Sequence, residues 1–220
     1  MLIESLLVFH IAVLGYWLGS EFVINSEYRY VCRAASMPFP ERKKLIEHVM
    51  DVDQHVRYAL VLQAVLGTVL AALIGYFPGG TTLAWTAGIA GIAWLAFVEI
   101  IHRIRHGAVG QNMALLDRVI RYVLLFALFA IGGATALGAI SLQGWLAWKL
   151  VLFGCVIASG VGIRLSIVEF YRVWREIDTN GSTPEKEKEI WWIYTWGTGI
   201  LVLLWVFIAG IVALSVMKPG

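Results

Sequence analysis

The chain alternates between six long apolar stretches and shorter segments that carry most of its charged residues. Each stretch has the roughly 20 residues that a helix needs to cross a bilayer core of about 30 Å. The pattern therefore predicts an all-α, polytopic membrane protein, a bundle of six transmembrane helices. The predicted spans are Ile3 to Val23, Tyr58 to Phe77, Leu83 to Ile101, Val119 to Ile140, Leu146 to Val168 and Ile193 to Val216.

The basic residues are distributed unevenly between the two predicted faces of the membrane. Of the 17 lysines and arginines, only Lys149 and Lys218 lie toward one side, and the others fall in or beside the segments after the first, third and fifth spans. Loops rich in lysine and arginine stay in the cytoplasm. The pattern therefore predicts that both termini are periplasmic, together with the turns at Pro78 to Gly80 and at Gln143-Gly144.

Composition predicts a single transmembrane helical domain over residues 1–220. Hydrophobic residues make up 60% of the chain, which leaves no room for a sizeable soluble domain. Glu4 stands where a signal peptide has basic residues, so we expect the first span to remain as a helix. We predict a multi-pass protein of the bacterial inner membrane in contact with the lipid bilayer. The net charge of +2 indicates no nucleic-acid partner.

Two segments between the spans carry signals of helix starts. Residues 24–56 form the longest predicted loop, and within it Pro40 and Glu41 are typical of a first helical turn. In the last cytoplasmic segment Asn180-Gly181 predicts a turn. Ser182 and Glu185 have the spacing of a capping box, which predicts a helix start there.

Ionisable side chains at membrane depth are candidates for function because each is costly to insert. His10 lies about two turns into the first span and Lys149 about one turn into the fifth, so both fall at a similar depth in the outer half. His10 is a candidate ligand of haem or a metal, the alternative being a hydrogen bond to a neighbouring helix. Lys149 could instead extend to the headgroups, as could Arg164 at the inner end of the fifth span, and Glu21 lies at the inner end of the first.

A second set of candidate ligands lies on the predicted cytoplasmic side. His48, Asp51 and His55 are spaced i, i+3, i+7, and Glu99, His102 and His106 repeat that spacing, so each set would line one helix face. The Glu-x-x-His step of Glu99 and His102 is also used in di-iron bundles. His55, Glu99, His102 and His106, with His10, are therefore candidate ligands of a transition metal. The alternative is that these histidines only suit the interface and the helix C-terminus.

Two segments resemble the CopD and HemJ group of bacterial membrane proteins. They are Tyr16 to Glu21, which follows His10, and Gly144 to Leu150, which contains Lys149. The whole chain resembles a proteobacterial integral membrane family more closely, through short matches such as Gly162 to Arg164. That family has Met-Ala-Pro-Arg where this chain has Gln54 to Arg57, so His55 departs from its pattern.

The resemblance implies haem b at His10, with Lys149 as its polar neighbour, since HemJ proteins oxidise protoporphyrinogen and CopD proteins handle copper. We therefore predict a b-type haem-binding redox protein that interacts with a quinone or a porphyrin, in which Glu21 and Arg164 also contribute to the cofactor site. One alternative is a metal-ion or small-solute permease in which Glu21, Arg164 and the histidines line a pathway. Another is a scaffold subunit that binds itself or a larger membrane complex. The sequence identifies no catalytic residue and leaves open whether the protein is an enzyme.

Overall fold

The computed structural model describes residues 1–104 and 107–218, and these form six α-helices and no strand. All six helices are long and apolar enough to cross a membrane, as the sequence predicts. The helices are α1 (Leu2–Arg33), α2 (Phe39–Ile74), α3 (Gly80–Ile104), α4 (Ala108–Ala136), α5 (Gly144–Asn180) and α6 (Pro184–Met217). The protein is therefore a multi-pass helical membrane protein, whose orientation stays a prediction.

Five of the six helices, all except α3, run well beyond the apolar stretches that define them. α2 has 36 residues, a length of about 54 Å, which exceeds the thickness of a bilayer core. The helix start predicted at Pro40 and Glu41 is confirmed, because α2 begins at Phe39. The predicted loop over residues 24–56 is wrong in length: α1 continues to Arg33, and only residues 34–38 connect the two helices. Charged residues end an apolar stretch without ending a helix, because most of them are good helix formers.

Other predicted boundaries also shift. α2 ends at Ile74 and α4 at Ala136, earlier than predicted, and turns with a positive φ at Gly75 and Gly138 follow them. α6 begins after Thr183, whose side chain accepts a hydrogen bond from the backbone of Lys186. Ser182 is therefore not the N-cap, and its hydroxyl donates to Glu187 instead.

The contacts of the chain group it into two compact units. The first comprises Met1–Glu27 and Glu47–Arg118, and the second Tyr28–Ile46 and Val119–Gly220. The prediction of one domain over residues 1–220 stays a prediction. Many large apolar side chains are exposed on both units, for example Val8, Phe126 and Val206. Exposed apolar surface of this extent on long apolar helices indicates contact with lipid.

In the second unit, Arg42 is the largest of the fully buried side chains. It is 1% exposed and forms two hydrogen bonds of 2.7 Å with the carboxylate of Glu187, and its Nε donates to the carbonyl of Val31 at 2.8 Å. Its guanidinium also lies 5.1 Å from the centre of the Trp174 ring. A buried charge needs such a complete set of partners. Arg42 therefore joins the end of α1 to α5 and α6.

Close packing in the same unit uses small residues. A Cβ atom at Gly132 of α4 would lie 2.2 Å from Cγ2 of Val151, and one at Gly197 of α6 would lie 2.6 Å from Oγ of Ser166. Glycine at these positions lets the backbones approach closely, which is a common basis of helix packing in membranes. Gly133, next to Gly132, has open space instead.

Candidate functional site in the first unit

The first unit contains a network of polar side chains from three helices. We call it the polar network, and its members are Tyr16 of α1, His55 and Tyr58 of α2, and Glu99 and Arg103 of α3. The hydroxyl of Tyr16 lies 2.5 Å from Nδ1 of His55. It donates when that nitrogen is unprotonated and accepts when that nitrogen carries the proton.

The two α2 residues connect α1 to α3. Tyr58 follows His55 by three residues, so the two rings lie on one face of α2, with their centres 6.2 Å apart and their planes nearly perpendicular. The Tyr58 hydroxyl donates a hydrogen bond to Oε2 of Glu99. The other oxygen of Glu99 accepts from Nε of Arg103 at 2.6 Å. A hydrogen-bonded or ring contact therefore links every consecutive pair of the network.

The polar network lies on an exposed face of the unit. Tyr16 is 41% exposed, His55 is also exposed, and the Arg103 side chain is 75% exposed. Polar and ionisable groups rarely face hydrocarbon directly, because the cost is several kcal/mol. We therefore infer that this face meets water, at the membrane interface or in a crevice that opens to it.

A buried carboxyl group lies on the same stretch of α1 as Tyr16. Glu21 is 6% exposed, and its Oε1 accepts a hydrogen bond of 2.9 Å from the indole of Trp17. No lysine or arginine of the described residues forms an ion pair with it. Asp53 of α2, which forms its own ion pair with Arg57 at 3.0 Å, is close enough to interact with it electrostatically.

His10 packs against α2 about three turns from Glu21 along α1. Its Cε1 lies 3.5 Å from the position of a Cβ atom at Gly67, and its backbone carbonyl accepts a hydrogen bond of 2.8 Å from Gln63. The imidazole therefore packs against α2 at a glycine, and Gln63 joins α1 to α2 at this level. His10 therefore faces another helix of its own unit.

The other predicted cofactor residues lie on α5. Lys149 is partly exposed and Arg164 is exposed, and both belong to the second unit, whereas His10 and Glu21 belong to the first. A cofactor site shared by His10 and Lys149 stays a prediction.

The predicted metal ligands have other partners in the structure. His55 is bonded to Tyr16, and both oxygens of Glu99 are occupied by Tyr58 and Arg103. His102 lies on α3 one turn after Glu99, and His106 lies outside the described residues. In the part of the chain that the structure describes, no group of three or more His, Cys, Asp or Glu side chains could hold a metal ion. The transition-metal site stays a prediction from spacing.

Sequence reasoning missed the two tyrosines of the polar network. Tyr16 entered only through the resemblance, and Tyr58 only as the start of a span. The one available signal was that Tyr58 follows His55 by three residues, which places the two side chains on one helix face. The contact of His55 with Tyr16 of α1 and that of Tyr58 with Glu99 of α3 cannot be predicted from the local sequence.

No protein-family model, no curated protein and no solved structure matches this chain. The resemblance to the CopD and HemJ group therefore stays a prediction from short sequence matches.

Proposed function

We propose that this protein is a proton-coupled permease of the bacterial inner membrane, with both termini periplasmic. The polar network carries protons between the cytoplasmic surface and the membrane interior. The observation that supports this proposal is the series of two hydrogen bonds and one ring contact that joins Tyr16, His55, Tyr58 and Glu99 across α1, α2 and α3. Hydroxyl, imidazole and carboxyl groups all donate and accept protons, as a relay requires.

Glu99 is the surface end of this relay. Its side chain is 34% exposed, and Arg103 holds one carboxylate oxygen while the other receives the Tyr58 hydroxyl. A proton taken up by Glu99 can pass to the Tyr58 hydroxyl as that hydroxyl turns and gives its own proton to a water molecule. Tyr58 and His55 meet through their rings and share no hydrogen bond, so this water would carry the proton on to His55. His55 then exchanges protons with Tyr16 through either tautomer.

Glu21 holds the proton that is coupled to transport. A carboxylate is costly to bury without a cationic partner, and a protonated carboxyl group is neutral and less costly. Gain and loss of a proton at Glu21 therefore change the energy of its surroundings on α1 and α2. Such a change is what couples a proton to a conformational step.

The test is proton flux into proteoliposomes that contain a pH-sensitive dye and carry an imposed membrane potential. We expect Tyr58→Phe and Glu99→Gln each to reduce the protein-dependent flux about 100-fold, the usual contribution of a positioned proton-transfer group. Tyr30→Phe, at an exposed tyrosine outside the network, should leave the flux unchanged. Equal flux in wild type, Tyr58→Phe and Glu99→Gln would refute the relay.

A second candidate function is the b-type haem redox protein that the resemblance implies, with a quinone or porphyrin as its partner. The observation that favours it is the position of His10, whose imidazole faces Gly67 of α2. His10 would hold the haem, which would supply one-electron chemistry.

An absorption spectrum of the protein purified from haem-replete cells tests this second function. His10→Ala should abolish the Soret band while the protein still inserts. A colourless wild-type protein, or an unchanged spectrum for His10→Ala, would eliminate it. Proton flux in the absence of a Soret band would favour the permease.

A further inference from the structure

Several exposed cations of the second unit form no ion pair within the described part of the chain, and three of these lie at the end of α1 and the start of α6. Arg29 and Arg33 lie on α1 and Lys188 lies on α6, and no carboxylate of the described residues forms an ion pair with them. Three other cations of the unit are paired: Arg172 contacts Glu169, Glu176 and Glu189, Lys186 contacts Glu176 and Glu189, and Lys43 contacts Asp178.

One of these cations contacts an indole, and the other two lie one helical turn from that contact. The guanidinium of Arg33 lies 4.6 Å from the centre of the Trp191 ring, a cation–π contact that joins the end of α1 to the start of α6. Arg29 is one turn before Arg33 on α1, and Lys188 is one turn before Trp191 on α6. The contact of Arg33 with Trp191 therefore lies just before Ile193, where the apolar stretch of α6 begins, and Arg29 and Lys188 are each one turn away from it along their helices.

Two exposed indoles extend this surface along α6. Trp192 and Trp196 are 66% and 40% exposed, and their rings stack with centres 6.2 Å apart and planes 16° apart. Lys188, Trp192 and Trp196 are spaced four residues apart, so they form one stripe on the helix. The stripe runs from a cation, through two indoles, to apolar helix.

We propose that Arg29, Arg33, Lys188, Trp192 and Trp196 form a binding site for one anionic phospholipid of the inner leaflet. The three cations would bind the headgroup phosphate, and the two indoles would cover the glycerol and the first part of the acyl chains. The order of groups along the stripe matches the order of groups in a phospholipid. The site is independent of the proton relay, which lies in the first unit.

A membrane lipid fits this surface better than free phosphate does. Free phosphate would need only the cations, whereas the stacked indoles continue into the apolar stretch of α6, where only an acyl chain can follow. Three cations without acidic partners also favour a headgroup with net negative charge over a zwitterionic one, because each lysine or arginine near the surface contributes about a fivefold preference.

The test is native mass spectrometry of protein released from nanodiscs made of equal parts phosphatidylglycerol and phosphatidylcholine. We expect wild-type protein to retain one phosphatidylglycerol. The triple variant Arg29→Gln, Arg33→Gln, Lys188→Gln should lose about 100-fold of its preference for that lipid, at about fivefold per charge. Trp192→Ala with Trp196→Ala should weaken retention of both lipids equally.

A matched control variant removes the same amount of positive charge at positions whose side chains form ion pairs with acidic residues. The variant Lys43→Gln, Arg172→Gln, Lys186→Gln should retain the lipid as wild type does, provided that its circular dichroism is unchanged. Equal retention by wild type and the first triple variant would overturn the proposal. Displacement of the lipid by 10 mM inorganic phosphate, about a typical buffer concentration, would show that the cations bind free phosphate instead.

Discussion

Replacing Arg42 is expected to destabilise this protein more than replacing any exposed charged residue of the same segment. In Arg42→Met the two hydrogen bonds with Glu187 and the one with the Val31 carbonyl disappear. The side chains of Arg42 and Glu187 are 2% and 15% exposed, so Glu187 is left largely buried without its cation. Breaking a buried pair from one side costs about 3–5 kcal/mol in the free energy of unfolding.

A double variant separates the buried charge from the lost contacts. In Arg42→Met with Glu187→Leu neither charge remains, and replacement of a buried ion pair by apolar residues is often close to neutral. What remains is the unpaired carbonyl of Val31, which costs about 1–3 kcal/mol. The double variant should therefore be more stable than Arg42→Met alone.

Lys43 supplies the control. It follows Arg42 directly and pairs with Asp178 at 3.3 Å, but both of these side chains are 46% exposed. An exposed pair contributes about 0–1 kcal/mol, so Lys43→Met should change stability by less than 1 kcal/mol.

The free energy of unfolding can be measured by steric trapping in bicelles, with helicity followed by circular dichroism. The importance of the buried pair is refuted if the free energy of unfolding of Arg42→Met lies within about 1 kcal/mol of that of Lys43→Met, the scatter expected for exposed pairs. It is also refuted if the double variant is as unstable as the sum of the two single ones, because independent effects would then add.

Two further predictions concern packing and topology. Gly132→Ala should lower the melting temperature, because its Cβ would lie 2.2 Å from Cγ2 of Val151. Gly133→Ala should raise the melting temperature slightly, because alanine favours a helix more than glycine does. Thermal melts of both variants test this, and equal shifts in melting temperature would contradict the packing. A cysteine at Thr81, exposed at the start of α3, should react with an impermeant maleimide from the periplasm, and one at Asn180 should not. The reverse labelling pattern would invert the predicted orientation.

The six spans could be predicted from sequence because insertion of a helix depends on local properties, its length and its apolar content. The stretch Ile193 to Val216 meets both conditions without reference to any other part of the chain. The helix ends were less predictable. Val23 ends an apolar run, but the backbone of α1 continues to Arg33, because the charged residues that follow also favour a helix.

The polar partners were decided by tertiary structure alone. Along the sequence, Glu187 is 145 residues from Arg42 and Tyr16 is 39 residues from His55. Pairs so far apart produce no periodic pattern of residues from which the contact could be predicted. The i, i+3 relation of Glu99 to His102 suggested a metal pair, but Glu99 bonds to Tyr58 and Arg103 instead. Spacing along one helix fixes which side chains share a face, whereas the packing of α1, α2 and α3 determines which groups those faces meet.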